Sequence, residues 1–392
     1  MTDATAVQAP DDVPPVPVFD GHNDTILRVE LAERMGTPRD LAVEDPTPAG
    51  SGGFRSRRLD IDLPRAEAAG FAGGFFAMFT PTGQARPPAH DHPINGEGRK
   101  GDGVGSTSDA TPTDEVKSSA DAVDQARALA FTTRLLARLH QLARSCPDRV
   151  AIVDGRAAIE TAMAHNRLAI LPHIEGAECI DEDLAALETL HSAGLRSLGP
   201  VWSRPNAFGH GAPMAPQPEI EVLPGLTDAG RALVATCEAM GVMIDCSHLT
   251  ETGFWDVAAV TDQPLVATHS NAHAICPSAR NLTNKQLDAV AERGGVVGLN
   301  FHVAFLRPDC RHNRDTGLDV MLRHLDHLLA HLGEEGVALG SDFDGCLLPR
   351  EIGDVTGLPK LVEAMRAAGY GETLVERIAW RNWLGLIGRV IG

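Results

Sequence analysis

Eight short runs of apolar, β-branched or glycine-flanked residues recur along the chain, and stretches at helical spacing separate the later ones. The runs are 16–20, 72–80, 168–175, 196–202, 242–248, 265–270, 295–302 and 337–342. Between them, 228–240, 251–260 and 284–293 are amphipathic, and in 318–332 the residues Leu318, Met321, Leu322, Leu325, Leu328, Leu329 and Leu332 share one helical face. Alternation of strand and helix implies parallel strands, and eight such units imply closure into a (β/α)8 barrel of the TIM type. The predicted fold class is therefore α/β, with one barrel domain over 16–392 behind a tail at 1–15. Two stretches interrupt the rhythm. Residues 81–112, rich in Gly, Pro, His and Asp, read as a long loop inserted after the second strand. Residues 203–224 are irregular after the fourth.

Composition excludes several functions. A formal net charge of -19 opposes binding to nucleic acid. The seven cysteines contain no CxxC pair and do not read as a disulfide framework. Residues 1–17 lack the basic and apolar regions of a signal peptide. No apolar run approaches the ~20 residues that cross a bilayer. The expected location is cytoplasmic, without membrane contact.

In such a barrel, catalytic groups project from the C-terminal ends of the strands. The predicted ends here are Asp20-Gly21-His22-Asn23-Asp24, His173-Ile174-Glu175-Gly176, Asp245-Cys246-Ser247-His248, Thr268-His269-Ser270 and Ser341-Asp342-Phe343-Asp344-Gly345. Three imidazoles and two carboxylates suffice for two zinc ions. Side chains alternate along a strand, so His22 and Asp24 point the same way and can grip one metal. His248 and His269, from adjacent strands, can grip a second. Glu175 offers two oxygens and could bridge ions ~3.5–4 Å apart. Most of the 16 histidines are not ligands on this reading. His324, His327 and His331 imitate a helical metal site but are read as a solvated face opposite the leucine stripe. His90, His92 and His210 fall in loops.

These segments resemble the renal (membrane) dipeptidase family of zinc metallopeptidases, as a soluble bacterial member. They occur in family order, together with Ser278-Ala279-Arg280-Asn281 and the closing stretch Ile378-Ala379-Trp380-Arg381-Asn382-Trp383-Leu384. The resemblance implies a metallo-dependent hydrolase barrel that cleaves dipeptides with a free C-terminal carboxylate and accepts a C-terminal D-residue. It implies that His22 and Asp24 hold one zinc, His248 and His269 the other, and that Glu175 bridges them. Arg280 would bind the substrate α-carboxylate, Asp342 would serve as acid/base, and Asp344 would support its loop. A homodimer is the family's expectation. One departure stands out: Trp202 occupies the place of a histidine that contacts the scissile carbonyl in mammalian relatives, and it reads as pocket wall. The competing readings are another amidohydrolase-type barrel, acting on N-acyl amino acids or cyclic amides, and a barrel recruited for non-hydrolytic work. The former usually shows HxH and a modified lysine bridge where this chain has HxD and Glu175.

Overall fold

The computed structural model describes residues 14–34, 55–56, 58–82, 122–219 and 221–392. His90, His92 and nearly all of the predicted 81–112 loop lie outside them, as does most of the tail. The strands are β1 (Val18–Asn23), β2 (Phe71–Phe79), β3 (Val150–Ile152), β4 (Leu168–Glu175), β5 (Ser197–Gly199), β6 (Met243–Ile244), β7 (Val266–Ala267), β8 (Val296–Leu299) and β9 (Val337–Leu339). All eight predicted runs overlap a strand, though β1 extends three residues past its run and β2 begins one residue before its own. The short β3, pairing on the side of β4, was not expected. Every ladder is parallel: one sheet runs β1-β2-β4-β5-β6 with β3 on β4, and a second runs β7-β8-β9. Between the sheets there are single parallel bridges, Asp245 to Val266 and Asn23 to Phe343.

Helices cover the outside of the sheets and begin where the side chains supply caps. Thr283 and Gln286 form a reciprocal capping box ahead of the helix Asn284–Glu292. Thr227 and Thr250 accept N–H groups from the first turns of Asp228–Met240 and Glu251–Val260. Each such cap stabilises its helix by ~1 kcal/mol. Inside the curl, Phe19, Phe75, Leu171, Met243, Val266, Val296 and Ala338 meet, each from a different strand. The closing helix Asn382–Val390 plugs this core with Trp383, which is fully buried and donates from Nε1 to Leu339 O at 2.9 Å. Truncating that ring to alanine would cost about 3–5 kcal/mol.

The register carries inward-facing residues to one edge. Phe79, Glu175 and Gly199 lie side by side at the C-terminal ends of β2, β4 and β5. The predicted strands at 242–248 and 265–270 shrink to two residues each, because the chain leaves the ladder there to build the site.

One reading is corrected. His324 is not on a solvated face: it is fully buried, with Nδ1 accepting the Ala272 N–H at 3.2 Å and Nε2 donating to Leu306 O at 2.9 Å. It sits on the edge of the leucine stripe, where the helix Leu318–Leu332 meets the loop after β7. His327 and His331 are half-buried and pair with Asn284 and Asp288 of the neighbouring helix.

Candidate metal centre

Glu175 Oε1 is the hub of the site. It lies 2.8 Å from His248 Nε2, 3.6 Å from His269 Nε2 and 3.7 Å from His22 Nε2, and His22 Nε2 is 3.6 Å from Asp24 Oδ2. The five predicted ligands therefore converge, all at most 5% exposed. Asp24 stands just past the end of β1, beyond a register shift, so its convergence with His22 comes from an irregular strand end rather than plain alternation. Three overlapping clusters bring ligand atoms within one ion's reach: His22/Glu175/His269, His22/Asp24/Asp342 and His22/His173/Asp245.

Neighbouring hydroxyls aim the imidazoles. Thr268 Oγ1 donates to Asp245 Oδ2 at 2.5 Å and so accepts from His269 Nδ1 at 2.8 Å, which leaves the His269 Nε2 lone pair facing Glu175. Ser203 Oγ lies 2.9 Å from His248 Nδ1, within hydrogen-bond reach, and so holds that ring in place. Fixing the outer nitrogen in this way orients a metal-ligating histidine and sets its tautomer. Burial, helped by the Arg280 and His22 charges, pushes His248 and His269 well below the ordinary imidazole range, so both are neutral donors.

The carboxylates make the opposite demand. Burial pushes His22 downward, yet Glu175, Asp24 and Asp342 outweigh it and raise it to about 10. His22 Nδ1 and Nε2 and Asp24 Oδ1 are buried without hydrogen-bond partners among the described residues. Unpartnered donor atoms in so negative a cage fit cations. The donor set, imidazole plus carboxylate in a dry site, suits one or two zinc ions.

Asp342 faces this cage. Its Oδ2 accepts from Asn300 Nδ2 at 2.9 Å, and burial raises it to about 6 against the His22 charge. The backbone around it is left-handed at Asp342 (φ 60), Asp344 (φ 66) and also His248 (φ 70), a conformation costing of order 1–3 kcal/mol per residue. Gly345 is required where it stands, since a Cβ would overlap the Asp24 and Asp342 carboxylates. Arg280 is 3% exposed; its Nη2 donates to His269 O at 3.3 Å, its Nε has no partner among the described residues, and its guanidinium lies 5.5 Å over the Phe305 ring.

Trp202 stands 5.9 Å from the His248 ring and 4.9 Å from Phe79. Behind it the buried Arg204 bonds Glu178 at 2.6 Å and Thr80 O at 2.6 Å and stacks on both aromatic rings. His210 is half-buried on the loop after β5 and belongs to none of the clusters. The sequence reading missed Ser203, Thr268, Asn300 and the Glu178–Arg204 pair. Asn300 directly follows β8 and could have been found by the strand-end rule; Ser203 carries no such signal.

Imidazoles and carboxylates gathered at the C-terminal edge of parallel strands define the class as metal-dependent hydrolases. Residues 13–391 match the membrane dipeptidase family, peptidase family M19. A metallopeptidase from Rhodobacter sphaeroides, solved with a phosphinate mimic of the dipeptide L-Ala-D-Ala, is 42% identical with a TM-score of 0.80, over 96% of this chain and 99% of that one. A structure described as a dipeptidase and metallopeptidase of family M19 is 40% identical with a TM-score of 0.79 and the same coverage. An uncharacterised protein from the PQQ-III 3′ region of Acinetobacter calcoaceticus is 37% identical over 80% of this chain and 89% of its own. The chain belongs to the membrane dipeptidase family. No described helix is long and apolar enough to cross a membrane.

Proposed function

We propose that this chain is a zinc-dependent dipeptidase that cleaves dipeptides bearing a free C-terminal carboxylate. The observation that carries the reading is one carboxylate oxygen, Glu175 Oε1, within 3.7 Å of imidazole nitrogens from three separate strand ends. In this proposal His22 and Asp24 would hold one zinc and His248 and His269 the other, with Glu175 shared between them. Zinc, when bound, supplies Lewis acidity and makes a nucleophilic water available near neutral pH. Asp342, held by Asn300, would accept a proton and pass it to the leaving amine. Arg280 pairs with the substrate α-carboxylate, and its unpartnered Nε supports that role. Trp202 walls the pocket where mammalian relatives place a histidine.

The HxD pair and Glu175 bridge disfavour other amidohydrolases and non-hydrolytic use. The ligand given for the Rhodobacter sphaeroides relative favours acceptance of a C-terminal D-residue. Closure of one domain over 16–392 into an eight-stranded barrel is part of the proposal, supported by the two joining bridges and the shared interior core. Pairing with a second copy and a cytoplasmic location rest on the family resemblance and sequence reading. Metal analysis of zinc-supplemented protein should give about two zinc ions per chain, with hydrolysis of L-Ala-D-Ala that a chelator abolishes. Zinc-loaded protein that hydrolyses neither L,L nor L,D dipeptides would refute the activity.

A further inference from the structure

Asp60 lies outside the strand ends that supply the rest of the site. It precedes the helix Leu63–Ala69, is 2% exposed, and engages Asp344 twice in opposite senses. The Asp60 N–H donates to Asp344 Oδ1 at 2.9 Å, and the Asp344 N–H donates to Asp60 Oδ2 at 2.8 Å. Asp344 Oδ2 also accepts from Thr25 Oγ1 at 2.7 Å and from the Ile61 N–H at 3.4 Å. Asp60 is itself anchored. Its carbonyl accepts the Val355 N–H at 3.1 Å, and Arg65 grips the adjoining Leu59 carbonyl while paired to Asp354.

The segment so clasped is the left-handed turn that carries Asp342. On its upstream side, Ser341 donates from N and Oγ to Asp20 Oδ1 and Oδ2, both at 2.7 Å. Downstream, hydrogen bonds from Thr25, Asp60 and Ile61 hold the Asp344 side chain, with the Arg28 charge acting on it as well. Two non-glycine residues in the left-handed region within three positions, Asp342 and Asp344, persist only where the surroundings over-determine them. We propose that Asp60 is a positioning residue: by clasping Asp344 it holds the turn that aims the Asp342 carboxylate into the metal-ligand cage. This rests on the proton-carrying role given to Asp342 above.

The charge state fits a clasp rather than a second acid. Burial and the adjacent Asp344 charge push Asp60 up to about 8. Asp344 accepts three donors and is the ionised partner. A neutral amide would reproduce the size of a protonated Asp60 and its acceptor oxygen.

The test compares Asp60→Ala, Asp60→Asn and Asp342→Asn in the zinc-loaded full chain. Substrates are L-Ala-D-Ala and the matching depsipeptide, whose ester leaving group needs less protonation than an amine. Asp60→Ala should lower kcat on the dipeptide about 10- to 100-fold, the cost of a small misplacement. KM and zinc content should hold, the loss should shrink on the ester, and Asp60→Asn should recover most of it. Equal losses on both substrates, loss of zinc, or an asparagine variant as poor as alanine would overturn the proposal. Should Asp60→Ala fail to fold, Asp344→Asn makes the same comparison, because its amide sets a donor against the donors of Asp60, Ile61 or Thr25. Wild-type activity in Asp342→Asn would instead overturn the catalytic reading on which the clasp rests.

Discussion

Replacing Arg280 by methionine separates a carboxylate clamp from a structural cation. Within the protein the guanidinium makes one long bond, 3.3 Å to His269 O, and lies 5.5 Å over Phe305. A stacked contact of that kind is worth roughly 0.5–2 kcal/mol, and methionine keeps much of the apolar stem. A desolvated, charge-assisted bond to a substrate carboxylate is worth roughly 1.5–3 kcal/mol, or about ten- to a hundredfold in kcat/KM. Burial lowers Arg280 to about 10, so it remains charged at neutral pH. The assay is steady-state kinetics of wild type and Arg280→Met on a dipeptide and on its C-terminal amide, which together form a double-mutant cycle. The dipeptide should lose the full factor, mainly in KM with some loss in kcat. The amide, already a poor substrate, should change little. Equal losses on both would show that Arg280 is structural and that dipeptide length is selected by something else.

Two further outcomes follow from the same geometry. His269→Ala should abolish turnover and bind less zinc, while His327→Ala, which removes a half-buried contact to Asn284, should leave turnover unchanged; equal losses would mean the histidines are misassigned. Asp342, raised by burial to about 6, is ionised above that value, so kcat/KM should climb through an acid limb and then level off. Bound cations pull a carboxyl downward, so the limb belongs at or below about pH 6 in zinc-loaded protein, and one above about pH 7 would remove Asp342 as the proton acceptor.

Legibility in the sequence tracked how local the determining physics is. His22, Glu175, His248 and His269 were readable because each follows or ends an apolar strand, and strand direction alone sends them to one edge. The eight runs were readable for the same reason. The strand β3 was not, since three residues of Val-Ala-Ile carry too little pattern, and their partner on β4 lies at Leu168–Ile170. His324 was misjudged because a helical face predicts exposure only until a loop from elsewhere, here Ala272, comes to rest on it. Ser203, Thr268 and Asp60 act through hydrogen bonds to groups 45, 1 and 284 residues away, and spacing carries no trace of the first and last.

The joint between the two ends of the strand series has a temporal meaning. His22 O accepts the Asp342 N–H at 2.9 Å and Phe343 O accepts the Asp24 N–H at 2.8 Å, while Ser341 reaches back 319 residues to the same His22 carbonyl. At about 5–20 residues per second, the ribosome releases Asp342 roughly 15–65 s after His22 and Asp24, the pair proposed to hold the first metal. Throughout that interval the growing chain carries His22 and Asp24 without the carboxylate that would move a proton. Pairings this distant are also slow to form once available. On the proposed role of Asp342, hydrolytic power therefore arrives after the other strands have been made, and a chain cut short before residue 341 lacks both the joint and that carboxylate.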